Sequence, residues 1–571
     1  MLPPHAADVL RILAAHGCQD WVLAPGSRSA PLVLALARME GMRTYLCGDE
    51  RAAGYRALGI AAATGRPVGV VVTSGTAVLN LAPAVAEAHL AEIPLLLLTA
   101  DRPPEAIGQQ DGQAVAQPGA FGANCKAAFH LPTQPTHPDE LRHAHHLANE
   151  AARLATTHPR GPVQLNLPFR EPFYPQAGEV LDLARPVPVW KTVAAPALPD
   201  RPQLVELLQA WQRAPRRMIV AGTQPYDLDL HNAVRALLYY APDVALAADP
   251  TSNLASLSTT NLALAADMAR PTPDTNPQLA PDLILHLGGP LTSRQLRRYL
   301  RACPAAEVWR IQPYAHPTPD PFYGLSRVVV AEPAAFITKL GEHSFFESAK
   351  DDTPRPSLAE AWATLAAPIA ARIPAALAAP DPDGTPNEAA AALAALQSVP
   401  AEAIVHLGNS MPVRWAQWLW QPGPHQRVWA NRGASGIDGS TATAVGYANQ
   451  TDLPVLLLTG ETAFHYDRNG LWTGEPLPPN LKIIVLNNGG GVIFRLIDGP
   501  AHLPERDRFF ENRHSLTAEG TARDFGLAYH ACRALTSEVL QTHLWGIDGP
   551  ALVEVFCDPA GAEAALAALR G

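Results

Sequence analysis

Lysine is almost missing from this chain. Of its 43 basic residues only five are lysines (Lys126, Lys191, Lys339, Lys350 and Lys482), and the rest are arginines. Together with 57 prolines, that bias reads as genome composition, so a single arginine carries little functional weight by itself. A basic excess is lacking as well. The 571 residues sum to a formal charge of −10, which argues against a general nucleic-acid binder. Anionic small molecules stay open, because a few arginines make a local site inside an acidic protein. Cysteine is sparse. Cys18, Cys47, Cys125, Cys303, Cys532 and Cys557 lie far apart with no CxxC pair, which speaks against a zinc site or a disulfide framework and favours a reducing compartment. Long apolar runs are absent too. Pro94–Leu98 and Pro454–Leu458 are strand-length, well short of the roughly 20 residues that span a bilayer. The opening MLPPHAADVLRILAAHG has no basic segment ahead of a long apolar core and reads as a mature helix. The expectation is a soluble cytoplasmic protein without nucleic-acid or membrane partners.

What is present is ordinary core-forming material, 47% hydrophobic and 17% charged, enough for two to four domains at about 150 residues each. The first 175 residues alternate helix and strand patterns: a helix from about His5 to His16 before Gly17, then strands at Trp21–Ala24, Thr44–Cys47, 67–73 and 94–100. Continuous apolar strands separated by helices predict a parallel sheet covered on both faces. The last 200 residues repeat the style, with strands at Ala403–Leu407, Arg427–Ala430, Pro454–Thr459 and Leu481–Leu486. ALGIAAATGRPVGVVVTSGTA (57–77) and AVGYANQTDLPVLLLTGETA (444–463) share a Gly-x-Ala helix, Pro-Val, an apolar strand and a Thr before a Gly turn, which suggests two related domains. IVAGT (219–223) and LILHLGG (283–289) predict a third α/β unit between them. Pro-rich stretches at 186–202 and 348–357 are the expected linkers. Leu358–Ala379 is expected to be a helical entry to the last domain. The predicted domains are 1–188, 200–345 and 356–571.

Two spots carry chemistry. Gly460-Glu461-Thr462 follows one apolar strand, and Asn487-Asn488-Gly489-Gly490-Gly491 follows the next. A carboxylate and, 27 residues on, a carboxamide supply hard oxygen ligands for a divalent cation, and the glycines admit a phosphate. Strand C-terminal ends are where doubly wound sheets bind ligands. Two ordinary turns would look the same, since Asn-Gly is a common turn dipeptide. The second spot is Glu50, just past a strand. A buried carboxylate has a raised pKa and exchanges a proton with a bound base, although an acid at a helix N-terminus is also favoured by the dipole alone.

The Gly-Glu…Asn-Asn spacing resembles the thiamine-diphosphate signature. With PGSRSAPL (25–32), DERAAG (49–54), TSGTAVLNLAPAVAEA (73–88), TADRPPE (99–105), QAVAQPGAFG (113–122), GNSMPVR (408–414) and NRGASGIDG (431–439), the chain resembles the 2-succinyl-5-enolpyruvyl-6-hydroxy-3-cyclohexene-1-carboxylate synthase family of menaquinone biosynthesis. The likeness covers both outer domains and is weak in the middle one. It implies an α/β fold of three doubly wound parallel-sheet domains: pyrimidine-binding, middle and diphosphate-binding. It also implies thiamine diphosphate with Mg²⁺ or Mn²⁺. The metal would be held by Glu461, Asn488 and the Gly490 carbonyl. Glu461 departs from the family's usual Asp, and the extra methylene points to a retained site with altered metal preference. Glu50 would be the catalytic acid on the aminopyrimidine. Ser74, Gly75, Gly460, Thr462, Ile437, Ile493 and Phe494 would complete the cofactor site, with Ile437 propping the cofactor's bend, although Ile and Phe are more often plain core. The family decarboxylates 2-oxoglutarate and adds the resulting unit to isochorismate. Ser27, Arg28, Arg102, Gln113, Arg294, Ser410, Arg414 and Arg432 would then bind these two dicarboxylates, with Arg294 the less secure match. Four of the five arginines are expected in loops after strands. Because Glu50 and the metal motif lie on different domains, the resemblance implies a homodimer or homotetramer with shared sites.

Two rivals remain at this point. One is another thiamine-dependent 2-oxo acid decarboxylase or acetohydroxyacid synthase, against which the arginine set and NRGASGIDG count. The other is a non-catalytic thiamine-fold or nucleotide-binding regulator, favoured only by Glu461.

Overall fold

The computed structural model describes residues 4–174, 183, 186–193, 198–303, 306–348, 357–379, 383, 386–497 and 499–571. Three parallel sheets follow one another along the chain. The first comprises β1 (Asp20–Leu23), β2 (Arg43–Leu46), β3 (Val68–Val72), β4 (Leu95–Asp101), β5 (Ala127–His130) and β6 (Val163–Pro168), in the order 2-1-3-4-6-5. The second comprises β7 (Arg217–Ala221), β8 (Ala245–Ala248), β9 (Leu283–Leu287), β10 (Glu307–Gln312) and β11 (Leu325–Val330), in the order 11-10-9-7-8. The third comprises β12 (Ile404–Leu407), β13 (Arg427–Trp429), β14 (Val455–Gly460), β15 (Leu481–Asn487), β16 (Ala528–Cys532) and β17 (Ala551–Phe556), in the order 13-12-14-15-17-16. Renumbered from its own first strand, the third sheet has the order of the first. The shared sequence pattern of 57–77 and 444–463 therefore extends to topology.

The central strands are buried along their whole length because helices cover both faces, which is why they read as unbroken apolar runs. In-register pairs such as Val70 with Leu97 and Leu458 with Ile484 build the cores. One apolar cluster runs without a break from Met218 in the second sheet to Leu569 at the end of the chain, so the middle and last units share a core. Trp429 and Ala442 of the last unit likewise pack into the core of the first.

The tightest seam joins helix Glu50–Thr64 to helix Ser440–Ala448. A Cβ on Gly59 would lie 2.1 Å from the Thr443 carbonyl oxygen, and one on Gly446 would lie 2.1 Å from that of Arg56. Only glycine lets the two backbones approach this closely. This seam fixes where the helix that starts at Glu50 sits on the last unit.

Leu358–Ala378 is the one stretch, among the described residues, long and apolar enough to cross a membrane. It forms two helices, Leu358–Ala370 with Pro368 inside and Ile373–Ala378, and buries Leu358, Trp362, Ile369 and Ala376 in the shared core. Residues 186–193 and 198–200 of the first expected linker carry no regular structure. Positions 349–356 of the second lie outside the described residues. All six cysteines are free thiols.

Candidate active site

The C-terminal edge of the third sheet carries an oxygen-rich clasp. Glu461 is the first residue of helix Glu461–Tyr466, directly after β14, and is buried. Its Oε1 accepts from the Gly490 N–H at 2.8 Å and from Thr462 Oγ1 at 3.0 Å. Asn488, directly after β15, is buried as well. Its Nδ2 donates to Glu388 Oε2 at 2.8 Å, while its Oδ1 is buried with no hydrogen-bond partner. A buried acceptor without a donor is costly, so the clasp has a lone pair aimed at something it does not supply. Burial, and then the nearby Glu388 charge, push the Glu461 carboxyl up to about 7. Two carboxylates and an unpaired amide oxygen in one buried spot suit a hard divalent cation. A side chain at Gly490 would come within 2.8 Å of the Glu511 carbonyl oxygen, so the loop closes only with glycine there. Gly460 has open space around its Cα. Ile493 and Phe494 are half-buried just beyond, with Phe494 tilted against Phe510.

On the first sheet, Asp49 caps helix Glu50–Thr64 by accepting from the Ala52 N–H at 3.2 Å. Glu50 is half-buried rather than buried, and Asn80 Nδ2 lies 3.5 Å from its Oε2. Ser74 and Gly75 follow β3 in buried positions of the turn before the next helix. The Gly75 N–H donates to Gln117 Oε1 at 2.8 Å and packs on the exposed Gln113. The hydrogen-bond partners of Glu50 and those of Glu461 and Asn488 are different sets of residues.

The arginines fall into two pairs. Arg28 is buried after β1, donates from Nη1 to the Phe169 carbonyl at 3.0 Å, and stacks over Phe173. Burial and then the Arg102 charge lower its pKa, so the two guanidiniums are neighbours. Arg102 donates from Nε to the Gly112 carbonyl at 2.8 Å. The second pair stands on the last unit. Arg414 donates from Nη1 to the Ser410 carbonyl, and Arg432 from Nη1 to Asn409 Oδ1 at 3.0 Å. Burial and then Arg432 lower the Arg414 pKa. The Nε of Arg432 is buried without a partner. Like charges this near one another favour a bound anion, in addition to the carboxylates already beside them, Glu171 at 3.4 Å from Arg28 among them.

The first part of the chain, residues 5–120, matches the family model for thiamine pyrophosphate enzymes, N-terminal TPP binding domain. Over 528 residues, 92% of this chain and 91% of the relative, it is 35% identical to a 2-succinyl-5-enolpyruvyl-6-hydroxy-3-cyclohexene-1-carboxylate synthase of Cytophaga hutchinsonii. The chain belongs to the 2-succinyl-5-enolpyruvyl-6-hydroxy-3-cyclohexene-1-carboxylate synthase family. Like-named proteins of Desulfotalea psychrophila (35% identical, 97% of this chain and 98% of the relative) and Bacteroides thetaiotaomicron (34%, 96% and 95%) agree. The three-sheet α/β architecture is that of thiamine-diphosphate enzymes.

Within this synthase-family chain the expected site residues are distributed unevenly. Glu461, Thr462 and Gly490 form one hydrogen-bonded set, and Asn488 is held beside it by its bond to Glu388, whose charge Glu461 feels. Arg28, Arg102 and Arg432 lie in loops after strands, whereas Arg414 sits in the first turn of helix Met411–Leu419 and Arg294 opens helix Arg294–Arg301. The expectation of four loop arginines is corrected to three, because Pro412 and Ser293 start helices earlier than the motif suggested. Arg294 is exposed. One turn on stands the half-buried Arg297; burial lowers the pKa of Arg432, and the Arg297 charge adds a little in the same sense. Ser410 holds a left-handed φ of 76° between buried Asn409 and Met411. Ile437 is 36% exposed, which removes a core role. Ser27 Oγ pairs with Tyr174. Sequence reading missed Glu388, Gln117, Asp249 and Asp267, since isolated acids and amides far from a motif have no local signature. Glu87 was also missed. It reaches across from the first unit and accepts from the Gly433 and Ala434 N–H groups at 2.7 Å, holding the Arg432 loop.

Proposed function

We propose that the protein decarboxylates 2-oxoglutarate with thiamine diphosphate and adds the remaining four-carbon unit to isochorismate by 1,4-addition. The products are 2-succinyl-5-enolpyruvyl-6-hydroxy-3-cyclohexene-1-carboxylate and CO₂. The observation that carries this is likeness to synthases of that name along 92% of the chain. Thiamine diphosphate, when bound, supplies a carbon acid and an electron sink for decarboxylating a 2-oxo acid. The protein supplies orientation and charge. Glu461, the free Oδ1 of Asn488 and the Gly490 carbonyl would hold Mg²⁺ or Mn²⁺ and through it the diphosphate. Ser74, Gly75, Gly460, Thr462, Ile437, Ile493 and Phe494 would enclose the rest. Glu50 would hold and release a proton at its carboxyl against the aminopyrimidine. Arg28 with Arg102, and Arg414 with Arg432, would each clamp carboxylates in bidentate fashion, assisted by Ser27, Gln113, Arg294 and Ser410. Two anions side by side repel, and part of the arginine binding energy offsets that repulsion.

We infer further that the site is completed by a second copy of the chain. Among the described residues Glu50 shares no hydrogen-bond partner with the metal clasp, and exposed Tyr466 and Trp472 bond to Arg51 and Gly48 beside it. The working compartment on this reading is the cytoplasm, and the domains are 1–188, 200–345 and 356–571. Incubating the protein with both substrates, cofactor and Mg²⁺ should yield a product whose mass equals the sum of the substrates less CO₂. Turnover of pyruvate instead would favour another thiamine-dependent synthase and overturn the reading.

A further inference from the structure

Where the middle and last units meet, one carboxylate is bonded to both. Asp267, partly buried near the end of helix Leu262–Ala269, accepts through Oδ1 from Ser293 Oγ at 2.8 Å and from the Gln295 N–H at 3.2 Å. Its Oδ2 accepts from Trp418 Nε1 at 2.8 Å. Ser293 is the cap of helix Arg294–Arg301, and its Oγ accepts in turn from the Leu296 N–H. Trp418 lies on helix Met411–Leu419, one turn past Arg414 and on the same face. The carboxylate thus fixes the helix bearing Arg414 against the turn that starts with Arg294 and leads to Arg297.

A second aspartate holds the same loop at its other end. Asp249, fully buried just after β8, accepts the Thr292 N–H through Oδ2, so the loop Thr292–Gln295 is pinned at both ends. The charges match the bonds. Asp267 faces Arg414, and Asp249 faces Arg432 and Arg297. Burial lowers the pKa of Arg414 and of Arg432, and Arg432 also repels Arg414, while the aspartates act in the opposite sense. A seam between two units needs only neutral acceptors for an indole and a hydroxyl. Withdrawing a carboxylate from water for that alone is unfavourable, and the neighbouring guanidinium offsets the cost.

We propose that Asp267 is a positioning residue that sets Arg414, through the Trp418 helix, at the dicarboxylate-binding site. The inference rests on Arg414 being a substrate-binding residue. Asp267 touches no reacting atom. It fixes the angle of a helix whose first turn carries the guanidinium, and a shift of about 1 Å in such a group is enough to weaken bidentate pairing.

The test uses the full-length enzyme with thiamine diphosphate and Mg²⁺, measuring KM and kcat for each dicarboxylate, cofactor affinity and thermal midpoint. Asp267→Asn is expected to raise the KM of one dicarboxylate about tenfold with kcat changed less than about threefold, a loss of ground-state binding. Cofactor affinity should be unchanged, and Asp267→Glu should recover part of the loss. In an Arg414→Ala background, Asp267→Asn should add nothing, because its effect passes through that guanidinium. A lower thermal midpoint with both KM values unchanged would make Asp267 a structural seam and overturn the proposal, as would full additivity with Arg414→Ala. If Arg414→Ala raises a KM and Asp267→Asn does not, the positioning role alone fails. If Arg414→Ala moves neither KM, the substrate assignment falls and takes this inference with it. Should Asp267→Asn not fold, Trp418→Phe removes one of the three bonds. It is expected to produce the same KM split at smaller size, and an unchanged KM there would also overturn the proposal.

Discussion

Glu50 is fixed in backbone by the Asp49 cap, and its carboxyl meets Asn80 among the described residues. A group so held can pass a proton to a bound base without rearranging, which is what the proposed chemistry asks of it. Glu50→Gln keeps the shape and removes the acid. It should reduce turnover by at least about a hundredfold, checked by product formation, with diphosphate binding by calorimetry nearly unchanged. His406 offers a stability test away from the site. It is fully buried in β12 with neither ring nitrogen hydrogen-bonded, and burial pushes its pKa down to about 3. The folded protein holds it neutral, whereas the unfolded chain takes up its proton near the ordinary histidine value. Its contribution to stability is therefore complete above about pH 6.5 and is lost as pH falls toward 3, by up to about 1.4 kcal/mol per unit. His406→Leu should flatten that acid limb, read as a smaller drop in thermal midpoint between pH 7.5 and about 4.5 than in the parent protein.

Among the elements, the pair Glu50–Thr64 and Ser440–Ala448 is the most exacting. Its residues are small and its apolar pattern is weak, because backbone packs on backbone and almost every position is buried. Gly446→Ala puts a methyl 2.1 Å from the Arg56 carbonyl oxygen, so one helix must move. The expected cost is on the order of 2 kcal/mol, seen as a lower thermal midpoint, with activity falling as well because the helix it packs against starts at Glu50. An unchanged midpoint would mean that the seam yields easily. The Glu87 carboxylate under the Arg432 loop works on the same scale: an acid of the first unit decides the shape of a loop of the last.

For the whole molecule, the shared-site reading makes a prediction that no single chain can imitate. Glu50→Gln and Asn488→Ala protomers should each be inactive alone. If Glu50 of one copy meets the clasp of another, mixed dimers regain one intact site in two. Co-expression should then recover about a quarter of wild-type activity when half of the dimers are mixed, since each mixed dimer keeps one of its two sites. No recovery, with mixed dimers demonstrated by two affinity tags, would place both groups in the same chain's site and reject the interface.

Much of this molecule is legible in its sequence. Central strands buried on both faces must be continuously apolar, so Leu95–Asp101 and Val455–Gly460 declared themselves, and the repeat between the outer units foretold their common strand order. Motif residues at strand ends, Glu461 and Asn488 above all, were visible because glycine turns mark them. Three-dimensional packing decided the rest. Whether an arginine stands in a loop or a helix turn, that Arg297 rather than exposed Arg294 senses Arg432, and that Asp267, Asp249, Glu87 and Glu388 reach the site from distant segments all depend on contacts between units. A sequence records local spacing, and a charge buried by a segment more than a hundred residues away leaves no trace in it.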